Sequence, residues 1–308
     1  MRFLIHQESR QGGRKTNQDR VAYSYSRDAL IMAVADGMGG HLHGEIAAHI
    51  AVKFLIEAFQ SQARPLLEDP HRFLLDSITN AHLAILNYAE ARNLPETPRT
   101  TFVACVIQEG SACWAHVGDS RLYLIRDGHV ESVTKDHSRV QQLVDIGRVR
   151  EEAVANHPDR NKVYNCLGQI NLPRIETSRR TPLRRGDTVL LCTDGMWGAL
   201  STRTIVEAVL RDDILKATPA LLNTAEARAA GDGDNLSAIG LSWLGDDALD
   251  PMVPQSISTR TMQMSDVATQ TAGFGDDTTR DFLSDDEIER AIEEIRGAIH
   301  GGGGAGAA

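Results

Sequence analysis

Four aspartates stand beside apolar runs that are long enough to form buried strands. They are Asp36, Asp119, Asp194 and Asp234, next to residues 30–35, 114–117, 189–192 and 236–241. A carboxylate carried to the end of a strand leaves the core and can meet a ligand. The glycines at 37, 39 and 40 let the backbone turn sharply beside Asp36. We therefore expect these carboxylates to converge on hard cations.

The donor type favours Mg²⁺ or Mn²⁺, because these ions prefer oxygen ligands whereas zinc prefers histidine and cysteine. The sequence contains no HExxH or CxxC spacing. One carboxylate can bridge two such cations about 3.5–4 Å apart, and the pair makes hydroxide from water for in-line attack on phosphorus. A planar arginine fork is the best holder of phosphate oxygens. Arg14, in the glycine-bearing stretch 12–19, is the candidate for that role.

The elements that must position these residues follow from the apolar patterns. Strands are predicted at 2–8, 21–26, 30–35, 101–108, 112–117, 121–126, 129–133, 174–177, 188–193 and 236–244, and helices at 45–60, 70–92, 137–146, 202–210 and 214–230. Turn signals at Gly110 and Gly128 predict that residues 101–133 form one antiparallel meander. Strands in groups and helices in pairs predict an α+β fold, with sheets packed together and helices outside.

The composition excludes several classes of protein. The net charge of −10 argues against non-specific binding to nucleic acid, which needs a basic face. No apolar run reaches the roughly 18 residues of a membrane span, so we expect no membrane association. The four cysteines form no CxxC pair and predict free thiols in a reducing cytoplasm.

The character of the chain changes after residue 245. Residues 246–282 are rich in serine and threonine and predict a flexible linker. Residues 283–300 begin with a capping box at Ser284 and predict a short acidic amphipathic helix. Residues 301–308 are glycine and alanine and predict a disordered end. The acidic helix is either a solubilising extension or a docking element for a partner or for the core.

Seven different short motifs occur in order along residues 2–244. They are Arg14 with Asn17-Gln18-Asp19, then Asp36-Gly37-Met38-Gly39-Gly40-His41, Thr100-Thr101, Gly118-Asp119-Ser120-Arg121, Asp136-His137-Ser138, Thr193-Asp194-Gly195 and Asp234-Asn235. In this set the chain resembles the metal-dependent serine/threonine protein phosphatases of the 2C type, the PPM family, in their bacterial form. Each motif alone is weak because Asp-Gly is usually a turn. Seven in order are specific.

The resemblance implies a fold and a set of roles. The fold is an α-β-β-α sandwich of two antiparallel sheets flanked by helices, with a centre for two Mn²⁺ or Mg²⁺ ions at one end. The implied ligands are Asp36 bridging both ions, the Gly37 carbonyl on one, Asp194 and Asp234 on the other, and Asp119 with Asp194 on a third, weaker ion. Arg14 would bind the substrate phosphate. Asp19 and Asn235 would lie next to the metal ligands without binding the ions directly. Residues 136–169 would form a flap beside the centre.

Three positions depart from the family pattern. Gln18 stands where the family commonly has glutamate, which removes one charge near the ions. Met38 stands where eukaryotic members have a histidine that is proposed as the general acid, and nothing in the sequence assigns that role to His41. Arg99 replaces a glycine.

Three hypotheses follow. The first is a cytoplasmic, monomeric phosphatase with a catalytic domain at 1–245. It would hydrolyse phosphoserine and phosphothreonine directly, without a phosphoenzyme, in bacterial Ser/Thr kinases or their protein targets. The second is a non-catalytic binding module, which Gln18 favours. The third is a partner-switching phosphatase dedicated to one small regulator.

Overall fold

Two antiparallel sheets packed face to face form the centre of the molecule. The computed structural model describes residues 1–38, 43–150, 153–154, 157–160, 162–246 and 268–272. The strands are β1 Arg2–Arg10, β2 Asp19–Tyr25, β3 Ala29–Asp36, β4 Phe102–Gln108, β5 Ser111–Val117, β6 Arg121–Arg126, β7 His129–Val133, β8 Glu176–Thr177, β9 Thr181–Pro182, β10 Thr188–Cys192, β11 Leu236–Gly245 and β12 Ala268–Ala272. The helices are α1 Gly44–Gln62, α2 Pro70–Ala91, α3 Arg139–Asp145, α4 Asp194–Trp197, α5 Thr202–Arg211 and α6 Ile214–Ala229.

The strand order explains how distant motifs meet. The first sheet runs β1-β11-β10-β6-β7, and the second runs β12-β2-β3-β4-β5-β8, with β9 also paired to β5. Their facing surfaces bury an apolar layer that includes Met32, Val103, Leu191 and Ile239. The predicted α+β sandwich is thereby confirmed.

Helices cover the outer face of each sheet. Helices α1 and α2 pack on the second sheet, and α4, α5 and α6 pack on the first. In β3, alternate residues therefore point to two different cores, Met32 to the layer between the sheets and Ile31 to the helices. Because both faces are buried, the strand reads as an unbroken apolar run rather than an alternating one.

The predicted meander at residues 101–133 is wrong. Strands β4 and β5 pair within the second sheet, whereas β6 and β7 pair within the first. The segment Gly118-Asp119-Ser120 is therefore a crossing between sheets and not a hairpin turn. Gly118 has φ 105°, and a Cβ there would lie 2.6 Å from the Cβ of Thr101. The crossing thus requires glycine at this position.

The tail contributes one described strand. Residues 268–272, inside the predicted linker, form β12 and pair antiparallel with β2, from Ala268 opposite Tyr25 to Ala272 opposite Val21. The predicted acidic helix at 283–300 and the glycine-rich end at 301–308 lie outside the described residues. Within the described part of the chain, no helix has the length and apolarity needed to cross a membrane.

Candidate metal centre

Asp36 ends β3, and two threonines fix its backbone. The amide of Thr101 and the hydroxyl of Thr100 donate to the Asp36 carbonyl at 2.9 and 2.8 Å. The Asp36 amide donates to Thr101 Oγ1 at 3.2 Å, and that oxygen also contacts Ser120 Oγ at 2.7 Å. The Thr100-Thr101 motif thus ties the end of β3 to the start of β4 and to the crossing between the sheets.

Gly37 allows α1 to approach the end of β3. A Cβ at this position would lie 2.5 Å from the Gly44 carbonyl carbon and oxygen and 2.7 Å from the Gln18 carbonyl oxygen. The Gly37 amide donates to that same Gln18 oxygen at 3.2 Å. Any side chain here would therefore push the helix away from the aspartate beside it.

Asp194 and Asp19 are linked through Thr193. The Thr193 hydroxyl donates to Asp19 Oδ2 at 2.9 Å, and Asp194 follows as the first residue of α4. Asp19 lies directly opposite Asp36 in the β2–β3 pairing and is fully buried. Its Oδ1 atom is buried without a hydrogen-bond partner. The two sheets therefore bring these carboxylates to one end of the sandwich.

Asp234 and Asn235 connect the last core strand to the Arg14 loop. The Asn235 side chain accepts from the Gln18 amide at 2.9 Å and donates to the carbonyls of Gln11 and Thr16 at 2.7 and 3.0 Å. Arg14 donates through Nε and Nη2 to the two carboxylate oxygens of Asp234 at 2.8 and 2.6 Å. The Arg14 side chain is 53% exposed, so a ligand can reach it.

The electrostatics reflect this crowding of carboxylates. Burial raises the pKa of Asp36 well above its usual range, and four neighbouring carboxylates raise it further. These neighbours are Asp19, Asp194, Asp119 and Asp234. Burial likewise raises the pKa of Asp19 to about 7 and that of Asp194 to about 6. Burial, followed by the charge of Asp194, also raises the pKa of Asp119.

This donor set fits divalent cations. All the side chains are hard oxygen donors, and Asp36 and Asp194 lie within hydrogen-bonding reach of one another. So many close carboxylates repel one another unless cations lie between them. The Oδ1 atom of Asp19, which has no hydrogen-bond partner, is a further acceptor in this group of mutually repelling carboxylates. The residues predicted from the sequence as ligands are therefore brought together, and their number and type match Mg²⁺ or Mn²⁺.

Gln18 has a specific partner that the sequence did not reveal. Its amide nitrogen donates to Glu45 Oε2, in the first turn of α1, at 2.9 Å. A glutamate at position 18 would face that carboxylate with a like charge. The Gln18 side-chain amide therefore suits the neighbouring Glu45 carboxylate. Glu45 supplies nearby the negative charge that a glutamate at position 18 would have carried. Only their three-dimensional proximity identifies this pair.

A second group of potential ligands includes His137, which lies in the predicted flap. Ligand atoms of His116, His137 and Glu176 all lie within 4.8 Å of one another. However, His137 Nδ1 accepts from the Gly118 amide at 3.1 Å and from Asn165 Nδ2 at 2.7 Å. The neutral ring must then carry its proton on Nε2, which leaves no lone pair for a metal.

The orientation of Asn165 supports this assignment. Its Nδ2 also donates to the Arg174 carbonyl at 2.8 Å, and its Oδ1 accepts from the Arg174 amide at 3.0 Å. A flipped amide would lose both contacts. The three groups around His137 are therefore a structural cluster, and the aspartates are the better metal centre.

The chain is similar over most of its length to known phosphatases. The model of the family described as Protein phosphatase 2C matches residues 7–226. The serine/threonine phosphatase stp of Listeria innocua is 32% identical over 233 residues, which cover 73% of this chain and 90% of that protein.

Solved structures agree with this similarity. Serine/threonine phosphatase Stp1 from Staphylococcus aureus superposes with a TM-score of 0.74 at 26% identity, covering 80% of this chain and 96% of Stp1. The catalytic domain of the phosphatase PstP, solved in complex with two manganese ions, gives a TM-score of 0.67 at 29% identity. That match covers 79% of this chain and 99% of the domain.

Proposed function

This chain belongs to the protein phosphatase 2C family, and we propose that its carboxylate centre hydrolyses phosphoserine and phosphothreonine in proteins. The observation that carries the proposal is the convergence of Asp36, Asp194 and Asp234 at one end of the sandwich, with Arg14 beside them. Manganese or magnesium is the cofactor, as for the manganese-bound PstP domain.

The side chains divide the work by position. Asp36, the Gly37 carbonyl, Asp194 and Asp234 would hold two cations, and Asp119 would share a third, weaker one with Asp194. When bound, two such ions lower the pKa of water and supply the hydroxide that attacks phosphorus. The chain's own residues place these charges and leave one side of the centre open, because Asp36, Asp194 and Asp234 are only half-buried.

Arg14 has the properties of a phosphate holder. Its guanidinium presents a planar fork, it is exposed, and its bidentate partner Asp234 is one of the proposed ligands. The same fork matches two oxygens of a phosphate. Burial by the neighbouring strands keeps Asn235 in place, and Asn235 in turn holds the loop that carries Arg14.

The cysteines support hydrolysis without a covalent phosphoenzyme on sulfur. All four thiols are free and buried. Burial raises the pKa of Cys192 to about 12 and that of Cys166 to about 11, so neither forms the thiolate that a nucleophile needs. This is consistent with water as the attacking group that we propose. Free thiols also support a reducing compartment, and we place the protein in the cytoplasm.

The names of the relatives support a proposal for the biological substrates. The similar proteins of Listeria and Staphylococcus are named serine/threonine phosphatases. We infer that this chain opposes Ser/Thr kinases by dephosphorylating them or their targets. Its monomeric state and a partner for the acidic segment 283–300 stay predictions.

The binding-module alternative loses its main support. It was favoured by Gln18, the neutral residue in a position where the family commonly has glutamate. Because Gln18 donates to Glu45, the substitution is matched by a carboxylate on α1 and does not signal a lost centre.

Phosphate release from a phosphothreonine peptide tests the proposal. The wild-type chain should release phosphate with Mn²⁺ or Mg²⁺ and not with EDTA, and Asp194→Ala should abolish release. A phosphotyrosine peptide serves as the substrate control. If the wild type releases no phosphate with Mn²⁺ and none with Mg²⁺, the proposed enzyme activity is refuted. Turnover of a short peptide would count against a phosphatase dedicated to one small regulator.

A further inference from the structure

Arg121, at the start of β6, makes a dense set of contacts beside the metal centre. Its Nε and Nη2 donate to the two carboxylate oxygens of Asp136, both at 2.8 Å, and its Nη1 donates to the Tyr123 hydroxyl at 3.1 Å. The Asp136 side chain is 1% exposed and that of Arg121 is 18% exposed. Two charges are thus held in a fixed geometry in the protein interior.

The flat face of the same guanidinium stacks on Trp197. The Arg121 Cζ atom lies 3.7 Å from the indole centroid. Trp197 ends α4, the short helix that Asp194 begins. Its Nε1 donates to the Asp119 carbonyl at 2.9 Å. The Arg121 side chain therefore contacts the helix that Asp194 begins, and through Trp197 it fixes the backbone of Asp119.

Charge makes this arrangement consequential. Asp136 lies close enough for its charge to act on both Asp119 and Asp194, and the Arg121 charge acts on Asp119 in the opposite sense. If Arg121 were lost, Asp136 would remain as a buried, uncompensated anion beside the centre. The pairing with Arg121 therefore offsets part of the negative charge that Asp136 places beside the ligands.

We propose that Arg121 is the positioning residue that sets Asp119 against Asp194, acting through Trp197, and so determines the affinity for the weaker cation that these two aspartates share. The inference rests on the metal centre of the proposed function. Arg121 itself contacts neither substrate nor ion. Asp36 and Asp234 are held by other contacts, through Thr101 and the Arg14 loop, so the two tight sites keep these ligands in place when Arg121 is changed.

Lysine cannot replace arginine in this role. An ammonium group keeps the positive charge but lacks the planar fork that binds both Asp136 oxygens and the flat face that lies on the indole. Arg121→Lys therefore separates geometry from charge. Trp197→Phe is complementary, because it keeps a ring under Arg121 and removes the Nε1 donor to Asp119.

Mn²⁺ titration by calorimetry on the full chain is the test. Arg121→Lys should retain the tight sites and weaken the weakest one about tenfold, the lower range for partners that orient metal ligands. Trp197→Phe should weaken the same site. In turnover, kcat at limiting Mn²⁺ should fall and recover with excess Mn²⁺, while KM for the phosphothreonine peptide stays unchanged.

Arg126 provides a matched control at the other end of the same strand. It makes an equivalent bidentate pair with Asp187, at 2.9 and 2.6 Å, with side chains 10% and 1% exposed. Arg126→Lys should cost similar stability and leave Mn²⁺ binding unchanged.

The outcomes are distinct. If Arg121→Lys gives the wild-type isotherm, or if Arg126→Lys weakens the same site equally, the inference is overturned while the proposed function stands. If wild type binds no Mn²⁺, the proposed function fails. If Arg121→Lys does not fold, a wild-type isotherm for Trp197→Phe overturns the inference, and selective weakening of the weakest site by Trp197→Phe supports it.

Discussion

Arg14 is the exposed residue that we propose binds the substrate phosphate. It lies on a loop held by Asn235, and its guanidinium reaches both oxygens of Asp234. Arg14→Lys should lower kcat/KM for a phosphothreonine peptide about 10- to 100-fold, mainly through KM, since a charged bidentate contact contributes about 1.5–3 kcal/mol. Steady-state kinetics check this result, with Lys15→Ala on the adjacent exposed residue as the control. Equal losses in the two variants would contradict a specific role for the fork.

His137 is a residue whose neutral form the fold requires. Burial lowers its pKa to about 4, and the charges nearest its ring are those of His116, Glu176 and Arg174. In the unfolded chain its pKa returns to about 6.5. Between these values the His137 ring binds more protons in the unfolded state, so the stability that His137 contributes should be complete above about pH 6.5 and fall as the pH drops towards about 4.

Urea unfolding at several pH values measures this dependence. His137→Asn keeps an acceptor near the position of Nδ1 but cannot be protonated, so relative to this variant the wild type should lose free energy of unfolding as the pH falls over the same window. A wild type and a variant with identical pH slopes would show that His137 does not titrate in this way.

The sequence indicated the proposed site residues better than the residues that hold them in place. The aspartates were visible because each stands at the end of an apolar run. The partners Glu45 and Trp197 were not, because nothing in local spacing relates position 18 to 45 or position 121 to 197. Such pairs depend on how the two sheets stack and on where the helices cross them.

At the level of elements, the junction between β3, β4 and the sheet crossing is the critical one. Thr101 joins all three through its hydroxyl, which accepts from the Asp36 amide and contacts Ser120. Thr101→Val preserves shape and removes these bonds, so it should cost about 1 kcal/mol of stability and also lower activity. Ser26→Ala, which removes an acceptor for the Ala29 amide at the opposite end of β3 from Asp36, should cost similar stability without loss of activity. Thermal unfolding and phosphate release distinguish the two.

Strand and helix positions were predictable, but some connections were not. The continuous apolar run of β3 and the helical spacing of α1 and α2 correspond closely to the observed elements. The crossing at Gly118 resembled a hairpin turn, because the sequence carries no sign of which sheet the next strand joins. Helix α4 is four residues long, too short for any periodic pattern.

For the whole molecule, we propose that the catalytic part of the chain ends near residue 245. All proposed site residues precede it, whereas residues 246–308 hold 13 acidic and four basic residues and carry −9 of the net charge of −10. Truncation after Asp246 should therefore retain activity. It should also expose the edge of β2 that β12 now covers and speed hydrogen exchange at amides 21–25. Unchanged exchange would contradict the β12–β2 pairing.

The direct test of the account is the number of Mn²⁺ ions that the chain binds. Calorimetric titration of wild type should give at least two ions per chain. Asp36→Asn should lose the tight sites, because the carboxylate proposed to join them is gone. Asp28→Asn, at a partly exposed acid paired with Arg27, should bind as wild type does. A wild type that binds no Mn²⁺, or an Asp36→Asn variant that binds it unchanged, would contradict the metal centre and the phosphatase built on it.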